Sequence, residues 1–95
     1  MRLEWVGTSF EDLAGIYAYI SQYNPDAADR VAAEIDKTTR QLLLYPQLGR
    51  LGLGGNVRLL QVPRLPYLIP YRVYGEIIEI LAVFDERQKR PEGWL

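Results

Sequence analysis

Three short runs in the second half of the chain decide the fold: Val57-Arg58-Leu59-Leu60-Gln61-Val62, Tyr67-Leu68-Ile69-Pro70-Tyr71-Arg72-Val73 and Ile77-Ile78-Glu79-Ile80-Leu81-Ala82-Val83-Phe84. Each is rich in β-branched, aromatic and leucine residues. They are separated by turn formers, Pro63-Arg64-Leu65-Pro66 and Tyr74-Gly75-Glu76. Runs bounded in this way read as strands joined by hairpins, so residues 57–84 are predicted to form an antiparallel meander. Pro70 is the anomaly, because proline cannot donate to a ladder; it predicts a bulge or an unpaired N–H at that point.

Upstream the period changes from two to three and four. Phe10, Leu13, Ile16/Tyr17, Ile20 and Tyr23 predict an amphipathic helix over residues 10–23, with Ser9 as its cap and Asp12 as an acidic capping-box partner. Asn24-Pro25 ends that helix and starts another, Asn24 capping and Pro25 taking the first position. Ala28, Val31, Ile35, Thr38, Leu42 and Tyr45 then form one long apolar stripe, with Asp26–Arg30 and Asp36–Arg40 as outward i,i+4 pairs, until Pro46. So tight a link predicts an antiparallel helical hairpin. Before it, Leu3 and Trp5 alternate with polar residues in a short strand that Gly7-Thr8 ends. Residues 46–56 hold four glycines but lack the Gly-Lys-Ser/Thr of a P-loop, and read as a surface loop. The expected architecture is α+β: an N-terminal strand, an antiparallel helical hairpin, then a three-stranded antiparallel meander.

The chain has 95 residues, enough for a single domain spanning 1–95 but not for two cores. No apolar run approaches the ~20 residues that span a bilayer, and Met1-Arg2-Leu3-Glu4-Trp5-Val6 is too short and polar for a signal peptide. A cytoplasmic location is expected. There is no cysteine, which removes disulfides and thiolate metal sites, and no histidine, which removes the commonest acid/base and metal ligand. Ser/His and Cys/His catalysis is thereby excluded. Adjacent carboxylates such as Glu11-Asp12 and Asp85-Glu86 diverge in regular structure, so no catalytic dyad, metal site or cofactor is expected.

Charge is uneven. Residues 1–45 carry four bases against seven acids, and residues 46–95 carry seven bases against five acids. Arg50, Arg58, Arg64, Arg72, Arg87, Lys89 and Arg90 make the second half a candidate surface for phosphate or for an acidic partner, guanidinium being a planar fork that suits either. Tyr67 and Tyr71 share a strand face and read as half-buried core with satisfied hydroxyls, or else as a stacking surface. Tyr17, Tyr19, Tyr23 and Tyr45 are expected to pack into or over the core. Trp94, in the charged tail after the last strand, reads as an anchor.

Taken together, Asp12-Leu13 with Ile16 and Tyr19-Ile20, Asn24-Pro25-Asp26-Ala27-Ala28, Pro46 with Gly49-Arg50, Gly55-Asn56-Val57-Arg58, Pro66-Tyr67-Leu68-Ile69-Pro70-Tyr71-Arg72-Val73 and Glu79-Ile80-Leu81-Ala82-Val83 resemble the RelE/ParE toxins of bacterial type II toxin–antitoxin systems. The resemblance spans nearly the whole chain in order. It implies a small α+β toxin wrapped by a cognate antitoxin. RelE-like members cut mRNA on the ribosome with basic side chains and a late tyrosine or histidine; ParE-like members inhibit DNA gyrase without that set. Here no histidine occurs and no tyrosine follows Tyr74, so the ParE-like branch is favoured, with plasmid stabilisation as its usual setting. Phe84-Asp85-Glu86-Arg87-Gln88-Lys89-Arg90-Pro91 keeps Arg87 and Pro91 of the family's ending but not its histidine. On this resemblance Arg58, Arg64, Arg87, Lys89, Arg90 and Trp94 are expected to contact the target, and Leu13, Tyr17, Ile20, Val31 and Ile35 the antitoxin. The alternatives are a RelE-like mRNA endonuclease, the one case with direct nucleic-acid contact, and a degenerate domain that only binds its antitoxin.

Overall fold

The computed structural model describes residues 1–52 and 54–88. In chain order it holds β1 (Arg2–Trp5), α1 (Ser9–Ser21), α2 (Pro25–Arg40) with a 3-10 turn at Gln41–Leu43, β2 (Arg50–Leu51), β3 (Arg58–Gln61), β4 (Tyr67–Tyr74), β5 (Ile77–Ile80) and β6 (Phe84–Asp85). The α+β class, the helical pair and the β3–β4–β5 meander are as the sequence predicts. Two strands are additional. β2 lies inside the glycine-rich connection, and β6 continues the last run beyond an interruption.

The sheet order is β1-β5-β4-β3-β2, with β6 also beside β4. All pairs are antiparallel except β1 with β5, where Arg2 to Trp5 run parallel to Ile77 to Ile80. The chain that joins this parallel pair runs through the helical hairpin and then through β2, β3 and β4. The interruption between β5 and β6 is set by Pro70. Between the pairs Tyr71↔Ile80 and Leu68↔Phe84, β4 has two residues and the facing chain has three, Leu81 to Val83. This is the bulge that the proline predicts. Pro70 offers only its carbonyl, which accepts from Leu81 N at 2.9 Å.

The cap of α1 sits one residue earlier than the sequence reading. Thr8 occupies it, while Ser9 is buried inside the helix and its Oγ donates to Val6 O at 2.7 Å. The start of α2 matches the reading: Asn24 Oδ1 accepts from Ala27 N at 3.1 Å, and Pro25 is the first helical residue. Of the two predicted outward pairs, Asp36–Arg40 closes at 2.8 Å.

Both helices lay their stripes on one face of the sheet. Ile35 and Leu42 join Leu60, Val62, Ile69, Tyr71, Ile78, Ile80 and Val83 in the core, with Leu3, Trp5, Leu13, Ile16 and Val31 packed around them. Each large aliphatic side chain fully buried here contributes roughly 1.5–3 kcal/mol. Tyr45, read as the end of the α2 stripe, is exposed instead. The tighter 3-10 turn changes the helical phase after Leu42, so the spacing no longer points inward. Among the described residues no helix is long and apolar enough to cross a membrane.

Candidate functional site

The three described arginines expected at a target surface occupy different settings. Arg58 starts β3 opposite Tyr71, half-buried on the helix side. Its Nη1 donates to Gly49 O at 2.8 Å and more weakly to Gln47 O at 3.4 Å. That guanidinium fastens the 47–49 segment. Arg64 sits at the tip of the β3–β4 connection, exposed, with φ 63. Leu65 N donates to Val62 O, closing a turn whose first central residue is Pro63. A positive φ at the second central residue is the type II pattern, where glycine is the ordinary occupant.

Arg87 follows β6. Its Nε and Nη2 grip both carboxylate oxygens of Asp85 at 3.0 and 2.7 Å, and its own N–H donates to the same carboxylate at 2.9 Å. These hydrogen bonds hold the Asp85 carboxyl below the usual aspartate value and raise the Arg87 guanidinium above its own. A bidentate fork of this kind fixes the arginine's direction. Glu86 N donates to Pro66 O at 2.7 Å, so β6 is tied to the turn that carries Arg64. Arg64 and Arg87 thus share one end of the sheet. Arg58, four residues back along β3, is roughly 13 Å from that turn. Lys89, Arg90 and Trp94 lie outside the described residues.

Beside Arg87 a cleft of about 700 Å³ opens between α1 and β6, with Asp12, Gly15, Tyr19, Tyr67 and Asp85 on its walls. Asp12 is a residue that the sequence reading placed only at a helix cap. Its Oδ2 accepts from Val83 N at 3.0 Å and from Thr8 Oγ1 at 3.0 Å. It therefore satisfies an N–H of the bulge opposite Pro70, and so links α1 to the sheet. No sequence signal connects residues 71 positions apart. Tyr67 faces Asp85 in register, nearly buried. Burial first, then the Asp85 charge, push its hydroxyl above the ordinary tyrosine value, with Arg87 opposing.

The expected antitoxin-contact set divides. Ile35 is fully buried and serves the fold, whereas Leu13 and Val31 pack on the core while staying partly exposed. Their spacing was that of the core-facing stripe. Ile20 reaches the cleft. Tyr17 is partly exposed and its hydroxyl donates to Asp29 at 2.6 Å, joining α1 to α2. Tyr19 and Tyr23 do not cover the core as expected; they stand exposed and edge to face, centroids 5.5 Å apart, with Phe10 exposed on the same helix. Tyr71 is core: its hydroxyl donates to Pro46 O at 2.8 Å and accepts from Gly49 N at 2.9 Å. Burial raises its pKa, and the Gly49 N–H and Arg58 charge oppose that only in part.

Comparison with known proteins gives consistent matches. Residues 3–90 match the family model described as the ParE toxin of type II toxin–antitoxin system, parDE. The Y4kP protein of Sinorhizobium fredii is 38% identical over 91 residues, covering 96% of this chain and 94% of that one. Toxin RelE2 of Caulobacter vibrioides is 34% identical over 82 residues, covering 86% and 91%. Among solved structures, the chromosomal ParDE toxin–antitoxin system from P. aeruginosa superposes with a TM-score of 0.79 at 28% identity, covering 90% of this chain and 95% of that chain.

Proposed function

Because the chain belongs to the ParE toxin family of type II toxin–antitoxin systems, we propose that it is held inactive by a cognate antitoxin and that it acts by binding DNA gyrase, not by cutting RNA. One observation carries the choice of target. The tyrosine hydroxyls beside the arginines stay protonated at neutral pH: burial raises the pKa of both Tyr67 and Tyr71, and the Tyr71 hydroxyl is already bonded on both sides. With no histidine in the sequence, RNA cleavage lacks the group that usually moves its proton. The arginines then serve recognition. Arg87, on the wall of the α1–β6 cleft, and Arg64, at the same end of the sheet, are the proposed target contacts; Arg58 contributes by shaping the 47–49 segment.

The test is to mix the purified protein with gyrase, ATP and supercoiled plasmid and look for linear DNA after protease treatment. Linear product supports gyrase poisoning; unimpeded supercoiling removes it. A second reading, a ribosome-dependent mRNA endonuclease, draws on the likeness to a relative named RelE2. Cleavage of translated mRNA at codons upon induction would favour it.

A further inference from the structure

The first strand leaves one edge of the sheet open. β1 ends the order β1-β5-β4-β3-β2 on the side away from β2, and among the described residues β5 is the one strand beside it. Arg2 N donates to Glu76 O at 3.0 Å and Val6 N to Ile80 O at 2.9 Å, so the even-numbered residues turn their backbone groups toward β5. Backbone groups alternate in direction along a strand, and those of Leu3 and Trp5 therefore point away from the sheet. Side chains alternate as well. Leu3 and Trp5 pack on the core under the helices, partly exposed, while Arg2 and Glu4 stand on the other face. Proteins often guard such an edge with like charges. Here the two charges are opposite in sign and flank Leu3.

That arrangement is complementary to itself. Against a second β1 laid antiparallel, the outward groups of Leu3 and Trp5 are satisfied only in registers that set odd-numbered residues opposite odd-numbered ones. Centred on Leu3, the two leucines exchange both N–H···O bonds, Trp5 meets the second copy's Met1, and Arg2 meets the second copy's Glu4. The Arg2–Glu4 position is the non-hydrogen-bonded kind, where facing side chains come closest. A slip to the next register on either side sets Glu4 on Glu4 or Arg2 on Arg2, and like charges directly opposite are destabilising. The row beside Glu4 points the same way. Arg72, Glu79 and Glu4 are consecutive in register across β4, β5 and β1, and Arg72 pairs with Glu79 at 2.6 Å. Two acids thus stand side by side with a base at one end, and Arg2 of a second copy supplies the base at the other. Within one copy Arg2 reaches Glu4 along the strand at 3.0 Å, and both side chains are exposed, so the pair is free to exchange partners.

We propose that β1 pairs with β1 of a second copy of this chain, antiparallel and centred on Leu3, joining two sheets into one across a two-fold axis. The same patch serves both copies, as a two-fold interface requires. A strand of four residues on each side makes the contact small, in the class of weak interfaces below about 1,200 Å², so the dimer depends on concentration. Nucleic acid is a poorer occupant, because one base and one acid give the strand no net charge to draw phosphate. The pairing lies at the opposite edge from β2 and β3 and leaves Arg58 and Arg64 uncovered. A dimer of this form carries the proposed target contacts twice, and its existence does not depend on which target they meet.

The test is sedimentation equilibrium of the purified full chain at concentrations up to about 1 mM. Wild type is compared with Arg2→Glu, with Glu4→Arg and with the double exchange R2E/E4R, circular dichroism confirming that each of these surface variants folds. The expected result is a reversible dimer that weakens about tenfold or more in each single variant, where like charges now face each other. The double exchange restores the opposite pairs and should return the dimer to within about threefold of wild type. An equimolar mixture of Arg2→Glu and Glu4→Arg should form the mixed dimer, in which every facing pair is again opposite in charge. A monomer at every concentration overturns the proposal. So does a dimer equally strong in all four proteins, which would place the contact elsewhere, and so do single variants that neither the exchange nor the mixture repairs.

Discussion

Among the described glycines Gly49 is the most closely walled in, and its wall is the ring of Tyr71. A Cβ built on Gly49 would stand 2.6 Å from Tyr71 Cε1 and 2.9 Å from Leu59 O, while the Gly49 N–H donates to the Tyr71 hydroxyl at 2.9 Å. Both neighbours are held in the core and cannot retreat. Gly49→Ala is therefore expected to destabilise by about 1–3 kcal/mol, the range for overpacking. Tyr71→Phe should destabilise by about 1–3 kcal/mol, because it leaves the Gly49 N–H and Pro46 O without partners. Urea unfolding midpoints measure both; an unchanged midpoint for Gly49→Ala would show that the 46–51 segment is not anchored here.

The same tyrosine gives a pH dependence. Tyr71 and Tyr67 have folded pKa values above the unfolded value of 10.0. The unfolded chain therefore releases these protons first, and stability falls as pH rises from about 10 through the folded values. Asp85 works in the other direction: its folded pKa is below 3.8, so its contribution is present above that value and is lost as pH falls through the folded one. Denaturation midpoints against pH should show both limbs. Tyr71→Phe flattens the alkaline limb, and Asp85→Asn flattens the acid limb.

Asp12 answers the bulge. Asp12→Ala is expected to lose about 1–3 kcal/mol, because Val83 N–H is left unpaired. Asp12→Asn keeps an acceptor oxygen and should lose less. Hydrogen exchange at the Val83 amide reports the site directly, and an amide equally protected in wild type and Asp12→Ala would refute the link.

Arg64→Gly separates structure from function. Relief of the left-handed conformation should stabilise the chain by about 1–2 kcal/mol, while loss of the guanidinium weakens growth inhibition in cells. Higher melting temperature with undiminished toxicity would show that Arg64 has no part in target contact.

Arg87→Glu is expected to abolish toxicity and leave antitoxin binding largely intact, since the Arg87 side chain is held by Asp85 and not by either helix. Plating efficiency on induction, with antitoxin co-purification as the control, measures it. Full toxicity of this variant would remove Arg87 from the target surface.

Much of this was legible beforehand because it is local. Asn24-Pro25 states its own cap, the apolar spacing of α2 states its buried face, and Pro70 states a break in its ladder. What sequence spacing could not separate was core from contact surface. The family resemblance points Leu13, Val31 and Ile35 at a partner, while the helical periodicity sends Ile35 into the core with Leu13 and Val31 against it. Tyr45 kept the period but lost the phase when the helix tightened. β2 was invisible, because two residues carry no alternation; only its pairing with Arg58 and Leu59 makes it a strand. The Asp85–Arg87 fork was equally hidden, since a charged tail and a locked bidentate pair have the same composition.

β1 has consequences for the order of events at synthesis. Its partner strand, Ile77–Ile80, is made 75 residues after Arg2, and at roughly 5–20 residues per second that is a wait of about 4–15 s. Until then Leu3 and Trp5 have no seat in the sheet, and Asp12 has no Val83 to hold. A ribosome-bound chain stopped short of β5 consequently presents helices without the sheet they pack against.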